Sequence, residues 1–174
     1  MFFHVLLTTK CDLQCKYCYE KSCEDMEADF GDLEVDYSLP SEISYDIGLL
    51  RQFCEKDPEL VLIFYGGEPM LCIGKMKEIM DVVRAKHFVI QTNGLHLNRL
   101  EPEYVNRLRS IFVSIDGDEE LTDYYRGKGV YRIVIDNVGL VRRNGFEGEI
   151  IARMTVMEET DIYQQVMWLL NNPD

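Results

Sequence analysis

Apolar and polar residues follow two alternating patterns along the chain, which predict strands and helices in turn. Five short runs are typical of strands, and they span residues 2–9, 60–65, 87–92, 110–115 and 149–156. Several of them are apolar at nearly every position, as strands covered on both faces tend to be. Stretches with helical spacing of apolar residues follow these runs, at 41–55, 73–85, 102–109, 130–143 and 161–171. This order, a strand and a helix repeated five times, predicts an α/β fold with a parallel sheet or a partial (β/α) barrel.

The loops that follow the predicted strands carry the unusual motifs of this sequence. In parallel α/β folds these loops gather at one rim, where the chemistry usually takes place. The first strand leads into "TTKCDLQCKYCYE" (8–20), the second into "GGEP" (66–69), the third into "TNG" (92–94) and the fourth into "SIDGD" (114–118). A Gly-Gly or Asn-Gly pair after one strand is usually only a turn. Four such loops on one rim predict a functional site.

Length and charge restrict the classes of protein that fit. The chain has 174 residues, enough for one sizeable core, and its 18 basic and 31 acidic residues give a net charge of -13. Such a charge disfavours a nucleic-acid substrate. No apolar run is long enough to span a bilayer, and the opening "MFFHVLL" is typical of a strand rather than a signal peptide. We therefore expect a cytoplasmic protein.

One segment is far more acidic than the rest. Residues 23–36, "CEDMEADFGDLEVD", contain seven carboxylates and no basic side chain. Self-repulsion and low apolar content predict a mobile, solvated acidic loop at about 23–38, in preference to a docking patch for a basic partner.

The six cysteines do not all suggest the same role. Cys54 and Cys72 lie in or beside helical patterns, which predicts small buried hydrophobic side chains. Cys11, Cys15 and Cys18 are clustered, which in a reducing compartment indicates metal ligands or reactive thiols. A structural zinc site takes four protein ligands, and no second pair of cysteines is present unless Cys23 contributes. A 4Fe-4S cluster held by three thiolates would leave one iron open to a ligand that is not protein.

The spacing Cys11-x3-Cys15-x2-Cys18, with the aromatic Tyr17 before the last cysteine, resembles the cluster loop of the radical S-adenosylmethionine (radical SAM) superfamily. The resemblance implies a 4Fe-4S cluster on Cys11, Cys15 and Cys18, with the methionine moiety of SAM on the open iron. It also implies a partial barrel of the radical SAM type. That barrel has six strands, and the sixth is missing from the five predicted here.

The resemblance extends to the other rim motifs, which it implies are SAM contacts. "GGEP" is similar to the family motif that receives the SAM amino group, and Arg126 in "DYYRG" is placed like the arginine that pairs with the SAM carboxylate. Tyr17 would lie near the adenine. The complete set of implied SAM-binding residues is Tyr17, Gly66, Gly67, Glu68, Pro69, Asn93, Ser114, Asp116 and Arg126. Each of these residues also has a simpler alternative: Glu68 could only place a charge at the start of a helix, Asp116 could only make a turn, and Arg126 could be a surface cation.

Within the superfamily, the chain most resembles the branch of anaerobic sulfatase-maturating enzymes and related peptide-modifying enzymes of the SPASM type. By this resemblance, residues 1–174 are a radical SAM core domain. The cysteine-rich auxiliary domain that usually follows is absent, so we expect a truncated chain or a separated core. A fifth strand without a sixth neighbour would expose an edge, which predicts self-association.

The implied reaction is reductive cleavage of SAM to methionine and a 5'-deoxyadenosyl radical that abstracts hydrogen from a peptide or protein side chain. A one-electron donor such as ferredoxin or flavodoxin is an implied partner. Two alternatives remain open at the level of sequence. One is a zinc-binding interaction module that uses Cys11, Cys15, Cys18 and Cys23, and the other is a non-catalytic radical SAM-like scaffold.

Overall fold

The computed structural model describes residues 1–18 and 40–171, and its centre is a sheet of five parallel strands. The strands are β1 (Phe2–Thr8), β2 (Val61–Gly66), β3 (His87–Thr92), β4 (Leu108–Ser114) and β5 (Glu149–Arg153). Each strand pairs in parallel with the next one along the chain, so the spatial order is the sequence order. This is the arrangement of βα units wound in one direction. The predicted α/β fold with the topology of a partial barrel is confirmed.

Helices connect the strands and cover one face of the sheet. They are α1 (Ile47–Cys54), α2 (Ile73–Val82), α3 (Pro102–Val105), α4 (Glu119–Arg126), α5 (Val130–Arg143) and α6 (Ile162–Asn171). Short 3-10 helices span Pro69–Cys72 and Leu97–Arg99. In the described parts of the chain, no helix has both the length and the apolar character needed to cross a membrane.

The hydrophobic core lies between the sheet and the helices. Phe64 and Ile90, on adjacent strands, are fully buried there together with Met76 and Ile79 of α2. Side chains alternate between the two faces of a strand. The neighbours of Phe64 and Ile90 along their strands therefore point to the opposite, concave face of the sheet. At the carboxyl ends of the strands, that face carries Tyr65 and Gln91, which line a cavity described below.

The first predicted helix is shorter than its apolar pattern suggests. Asp46 caps the start of α1 by accepting hydrogen bonds from two backbone N–H groups, so the helix begins at Ile47 rather than at residue 41. The preceding residues instead pair with the end of β1, where Thr8 forms an isolated antiparallel bridge with Glu42. The predicted acidic loop at about 23–38 lies outside the described residues.

Further differences concern element boundaries and one helix that was not predicted. Helix α3 ends at Val105, whereas residues 102–109 were expected to be helical, because the chain from Leu108 onward pairs with β3. Strand β5 ends at Arg153 rather than at residue 156. Helix α4 was not predicted from the hydrophobic pattern. Asp118, which caps this helix, and the acidic residues that follow it in the first turn are the local signals that would have predicted it.

Strand β5 is an edge of the sheet, and we expect it to promote self-association. Within residues 1–18 and 40–171, β5 pairs with β4 alone, and Ile151 on this strand is 40 % exposed. Unpaired strand edges recruit other chains, and a lysine on the edge opposes that pairing. Sedimentation velocity should show dimers or larger species for the wild type and a shift toward monomer for Ile151→Lys. Ile133→Lys, at a comparably exposed apolar position on α5, is the control and should not change the distribution. A wild type that is monomeric at high concentration would contradict this prediction.

Candidate functional site

A cavity of about 320 Å³ opens at the carboxyl ends of the strands, on the concave face of the sheet. Its wall combines the segment that follows β1, residues 9–18, with the ends of the four other strands. This segment contains Cys11, Cys15 and Cys18 and is called the cysteine loop below. The residues that line it are Cys11, Leu13, Cys15, Tyr17, Cys18, Tyr65, Gly66, Gly67, Gln91, Thr92, Asn93, Ser114, Arg126, Arg153, Met154 and Thr155. Loops from every strand therefore meet at one cavity, as the positions of the motifs predicted.

The three clustered cysteines share this cavity. Cys11 is exposed, while Cys15 and Cys18 are half-buried. Burial raises the pKa of the Cys11 and Cys15 thiols, and the nearby Arg126 guanidinium acts against that rise at Cys15. Of the other cysteines, Cys54 is fully buried as expected. Cys72 is only half-buried, and Cys23 lies outside the described residues.

Gly66 and Gly67 hold the cysteine loop against the end of β2. The Gly67 N–H donates to the Thr8 carbonyl at 2.8 Å, and the next N–H, of Glu68, donates to the Lys10 carbonyl at 2.9 Å. A Cβ atom added to Gly67 would lie 2.4 Å from the Lys10 carbonyl oxygen, and one added to Gly66 would lie 2.2 Å from that of Thr8. Close approach of the cysteine loop thus requires glycine at both positions.

Glu68 lies behind the cavity wall rather than in it. Its side chain is fully buried, and the carboxylate accepts hydrogen bonds from the Met70 N–H, the Thr92 hydroxyl and the Asn93 N–H at 2.6–2.8 Å. Burial raises the pKa of Glu68, and these three hydrogen bonds act in the opposite direction. Glu68 thereby connects the end of β2 to the end of β3 and the loop after it, and Pro69, the next residue, is also buried.

Asn93 links that loop to the first half of the cysteine loop. Its side-chain amide lines the cavity and donates to the Asp12 carboxylate at 2.9 Å. The other Asp12 oxygen lies 2.7 Å from Nε2 of His96. No role was predicted for Asp12 or His96, because no local feature of the sequence indicates their contact. Their contact joins positions 84 residues apart.

Asp116 and Arg126 form a buried ion pair at the other side of the cysteine loop. Asp116 is fully buried and Arg126 is 7 % exposed. The guanidinium donates to Asp116 twice, through Nε at 2.7 Å and Nη2 at 2.9 Å. The Tyr17 hydroxyl and the Thr155 N–H also donate to this carboxylate, at 2.6 and 3.0 Å. Burial, together with the bond to Asp116, raises the pKa of Tyr17, so the hydroxyl stays protonated and acts as the donor.

The structure divides the residues singled out from the sequence into two groups. Nine of them line the cavity, namely Cys11, Cys15, Cys18, Tyr17, Gly66, Gly67, Asn93, Ser114 and Arg126. Glu68, Pro69 and Asp116 are buried behind the wall. Gln91 and the segment 153–155 also line the cavity, although no sequence motif indicated them. Their positions at the carboxyl ends of β3 and β5 are the signal that would have identified them.

The donors in this cavity suit an iron-sulfur cluster and a small polar ligand. Three thiols with no carboxylate among the lining side chains form a soft donor set, which favours iron-sulfur or other thiophilic metal chemistry over magnesium or calcium. In the parts of the chain that the structure describes, no three His, Cys, Asp or Glu side chains meet closely enough to hold a single metal ion. A 4Fe-4S cluster does not require this, because each thiolate would ligate a different iron. The remaining wall offers an amide, a hydroxyl and guanidinium groups from Asn93, Ser114, Arg126 and Arg153.

Comparison with protein families gives one match that spans nearly the whole chain. The model of the radical SAM superfamily matches residues 5–167. Members of this superfamily use a 4Fe-4S cluster and S-adenosylmethionine.

Two curated relatives come from Methanocaldococcus jannaschii. One is an uncharacterized protein that is 28 % identical over 137 residues, which are 72 % of this chain and 43 % of the relative. The other is a 7-carboxy-7-deazaguanine synthase that is 25 % identical over 159 residues, 87 % of this chain and 62 % of the relative. The chain thus spans about half the length of these relatives.

Among solved structures, native anSMEcpe with bound AdoMet and Kp18Cys peptide has a similar fold. The TM-score is 0.72 at 16 % sequence identity, and the match covers 97 % of this chain and 48 % of the other.

Proposed function

Since the chain belongs to the radical SAM superfamily, we propose that it is the core of a radical SAM enzyme that modifies a peptide or protein side chain. The observation that carries this proposal is the convergence of Cys11, Cys15 and Cys18 on one cavity with the ends of the parallel strands. A thiol trio placed away from the strand ends would not have this access to a common ligand site.

Cys11, Cys15 and Cys18 would hold the cluster as thiolates. When bound, a 4Fe-4S cluster supplies the electron that cleaves SAM into methionine and a 5'-deoxyadenosyl radical for hydrogen abstraction. The Leu13 N–H lies 3.4 Å from the Cys11 sulfur, and hydrogen bonds to ligating sulfurs tune cluster potentials. The half-buried positions of Cys15 and Cys18 limit the access of water.

The other cavity residues would bind and orient SAM. Ser114 and Asn93 offer polar side chains, and Tyr17 offers its ring and backbone. Nη1 of Arg126 is not used in the bonds to Asp116 and could reach the SAM carboxylate. Gly66 and Gly67 would place the GGEP segment against the ligand. Glu68, Pro69 and Asp116 would act from behind the wall by holding these groups in position.

The fold likeness to a peptide-bound enzyme supports a peptide or protein as the substrate. A one-electron donor such as ferredoxin or flavodoxin would reduce the cluster. A disulfide within the trio would remove cluster ligands, so the proposed function needs a reducing compartment, and we propose the cytoplasm.

An isotope experiment tests the reaction and the substrate class together. The anaerobically reconstituted and reduced protein is incubated with SAM and a fully deuterated protein digest, or with a deuterated fraction of nucleosides and other small metabolites. Mass spectrometry should detect 5'-deoxyadenosine, with deuterium acquired from the digest alone. Deuterium acquired only from the small metabolites would contradict a peptide substrate. No 5'-deoxyadenosine above the level of a protein-free control would contradict radical SAM activity itself.

A further inference from the structure

The carboxylate of Asp116 joins three segments of chain that are distant in sequence. It contacts Tyr17 in the cysteine loop, Arg126 at the end of α4 and Thr155 after β5. Tyr17 and Asp116 are 99 residues apart. Two Arg126 N–H groups, the Tyr17 hydroxyl and the Thr155 N–H all donate to this one fully buried side chain. A displacement of any of the three segments therefore breaks a charge-assisted hydrogen bond to a carboxylate that is buried from solvent.

The Tyr17 bond acts directly on the part of the loop that carries two of the three cysteines. Tyr17 lies between Cys15 and Cys18, and its ring packs against Tyr125 with centroids 5.2 Å apart. The Arg126 guanidinium lies 5.4 Å from the centroid of the Tyr17 ring. One residue earlier, the Lys16 N–H donates to the Tyr125 carbonyl at 2.9 Å. The Cys15–Cys18 segment is therefore held against α4, while the Cys11 end is held separately through Asp12 and Asn93.

The Asp116 carboxylate also fixes the position of the Arg126 guanidinium, the positive charge that faces the cavity. Arg126 lines the cavity next to Cys15, and two of its N–H donors are committed to Asp116. Without Asp116 the guanidinium would be buried without its counter-ion, and it would have to move toward solvent or toward the thiols. Asp116 itself does not line the cavity.

We propose that Asp116 is a positioning residue that, through Tyr17 and Arg126, fixes the Cys15–Cys18 half of the cysteine loop and thereby sets the affinity for SAM. The consequence for SAM rests on the proposed function. The effect on the loop does not, because the hydrogen bonds that produce it are made by the protein alone. Asp116 acts on the ligand without touching it.

Tyr17→Phe is the most selective test, because it removes one hydroxyl and keeps the ring. In the metal-free protein we expect the Lys16 amide to exchange its hydrogen about tenfold faster than in the wild type, the size of effect expected from losing one hydrogen bond to a charged acceptor. Tyr104→Phe is the matched control. It removes a similar tyrosine-aspartate bond, from Tyr104 to Asp81 at 2.9 Å, on an exposed surface, and it should leave the Lys16 amide unchanged.

A second measurement uses the reconstituted protein. Tyr17→Phe should keep its full iron content yet need about tenfold more SAM to change the electron paramagnetic resonance spectrum of the reduced cluster, whereas Tyr104→Phe should match the wild type. Asp116→Asn should weaken SAM binding at least as much. Adding Tyr17→Phe to Asp116→Asn should cause less than a twofold further change, because the two residues act through one contact.

The outcomes separate this inference from the proposed function. Unchanged exchange of the Lys16 amide in Tyr17→Phe would overturn the positioning role, and so would independent, additive effects of the two substitutions on SAM binding. Faster exchange in a protein that takes up no cluster would uphold the positioning of the loop and contradict the proposed function. If Asp116→Asn fails to fold, Tyr17→Phe still decides both measurements.

Discussion

Replacing Cys15 with alanine should abolish cluster binding while leaving the fold of the chain intact. We expect the reconstituted wild type to contain about four irons per chain and the Cys15→Ala variant to lose both the iron and the visible charge-transfer absorption. Cleavage of SAM should fall to the level of the protein-free control. The same loss is expected for Cys11→Ala and Cys18→Ala, because each thiol would ligate a different iron. Far-ultraviolet circular dichroism of the metal-free proteins checks that the fold is retained.

Metal binding by the Cys23→Ala and Cys72→Ala variants distinguishes an iron-sulfur cluster from a zinc site. Cys72 is half-buried and does not line the cavity, so Cys72→Ala should retain its iron. Cys23→Ala should also retain iron and should still respond to SAM, because a fourth thiolate would occupy the position that SAM requires. In a zinc module, loss of Cys23 would open a four-ligand site and weaken both metal binding and folding. Stoichiometric zinc in the wild type, no iron, and loss of that zinc in Cys23→Ala would contradict the radical SAM assignment of these cysteines.

Replacing Gly67 with alanine should have the second largest effect, by forcing the cysteine loop away from β2. The added Cβ would lie 2.4 Å from the carbonyl oxygens of both Thr9 and Lys10. Contacts this short with backbone atoms are relieved only by moving the backbone. We expect the free energy of unfolding to fall by about 3 kcal/mol and iron uptake to fall sharply. Urea unfolding of the metal-free protein and iron analysis after reconstitution measure the two effects separately.

Gly74→Ala is the control for this substitution. Gly74 lies in helix α2, and a Cβ atom added there meets no atom within 4 Å. Alanine favours a helix over glycine by up to about 1 kcal/mol, so this variant should be as stable as the wild type or slightly more stable, with normal iron uptake. Equal stability and equal iron content of Gly67→Ala and Gly74→Ala would show that the cysteine loop does not depend on its close approach to β2.

Local pattern was sufficient to predict the strands but not all of the helices. The runs at 60–65 and 87–92 became β2 and β3 within one residue of their predicted bounds, because a short run rich in β-branched and aromatic residues is typical of a strand. Helix α4 was missed because Glu119–Arg126 is polar along most of its length. Pairing between strands also decided where α3 ended. Hydrophobic periodicity detects an element through the face that it buries, so a mostly polar helix gives little signal.

The sequence by itself determined which loops meet at the cavity, and the tertiary structure decided which side chains line it and what each of them contacts. Strand order and cysteine spacing are local properties, and they were enough to place Cys11, Cys15, Cys18 and Ser114 on one rim. Glu68 and Asp116, by contrast, were expected among the direct SAM contacts and are buried behind the cavity wall. Their hydrogen-bond partners include Thr92, 24 residues from Glu68, and Tyr17, 99 residues from Asp116. The role of a buried carboxylate depends on the donors that surround it, and folding brings those donors together from distant parts of the chain.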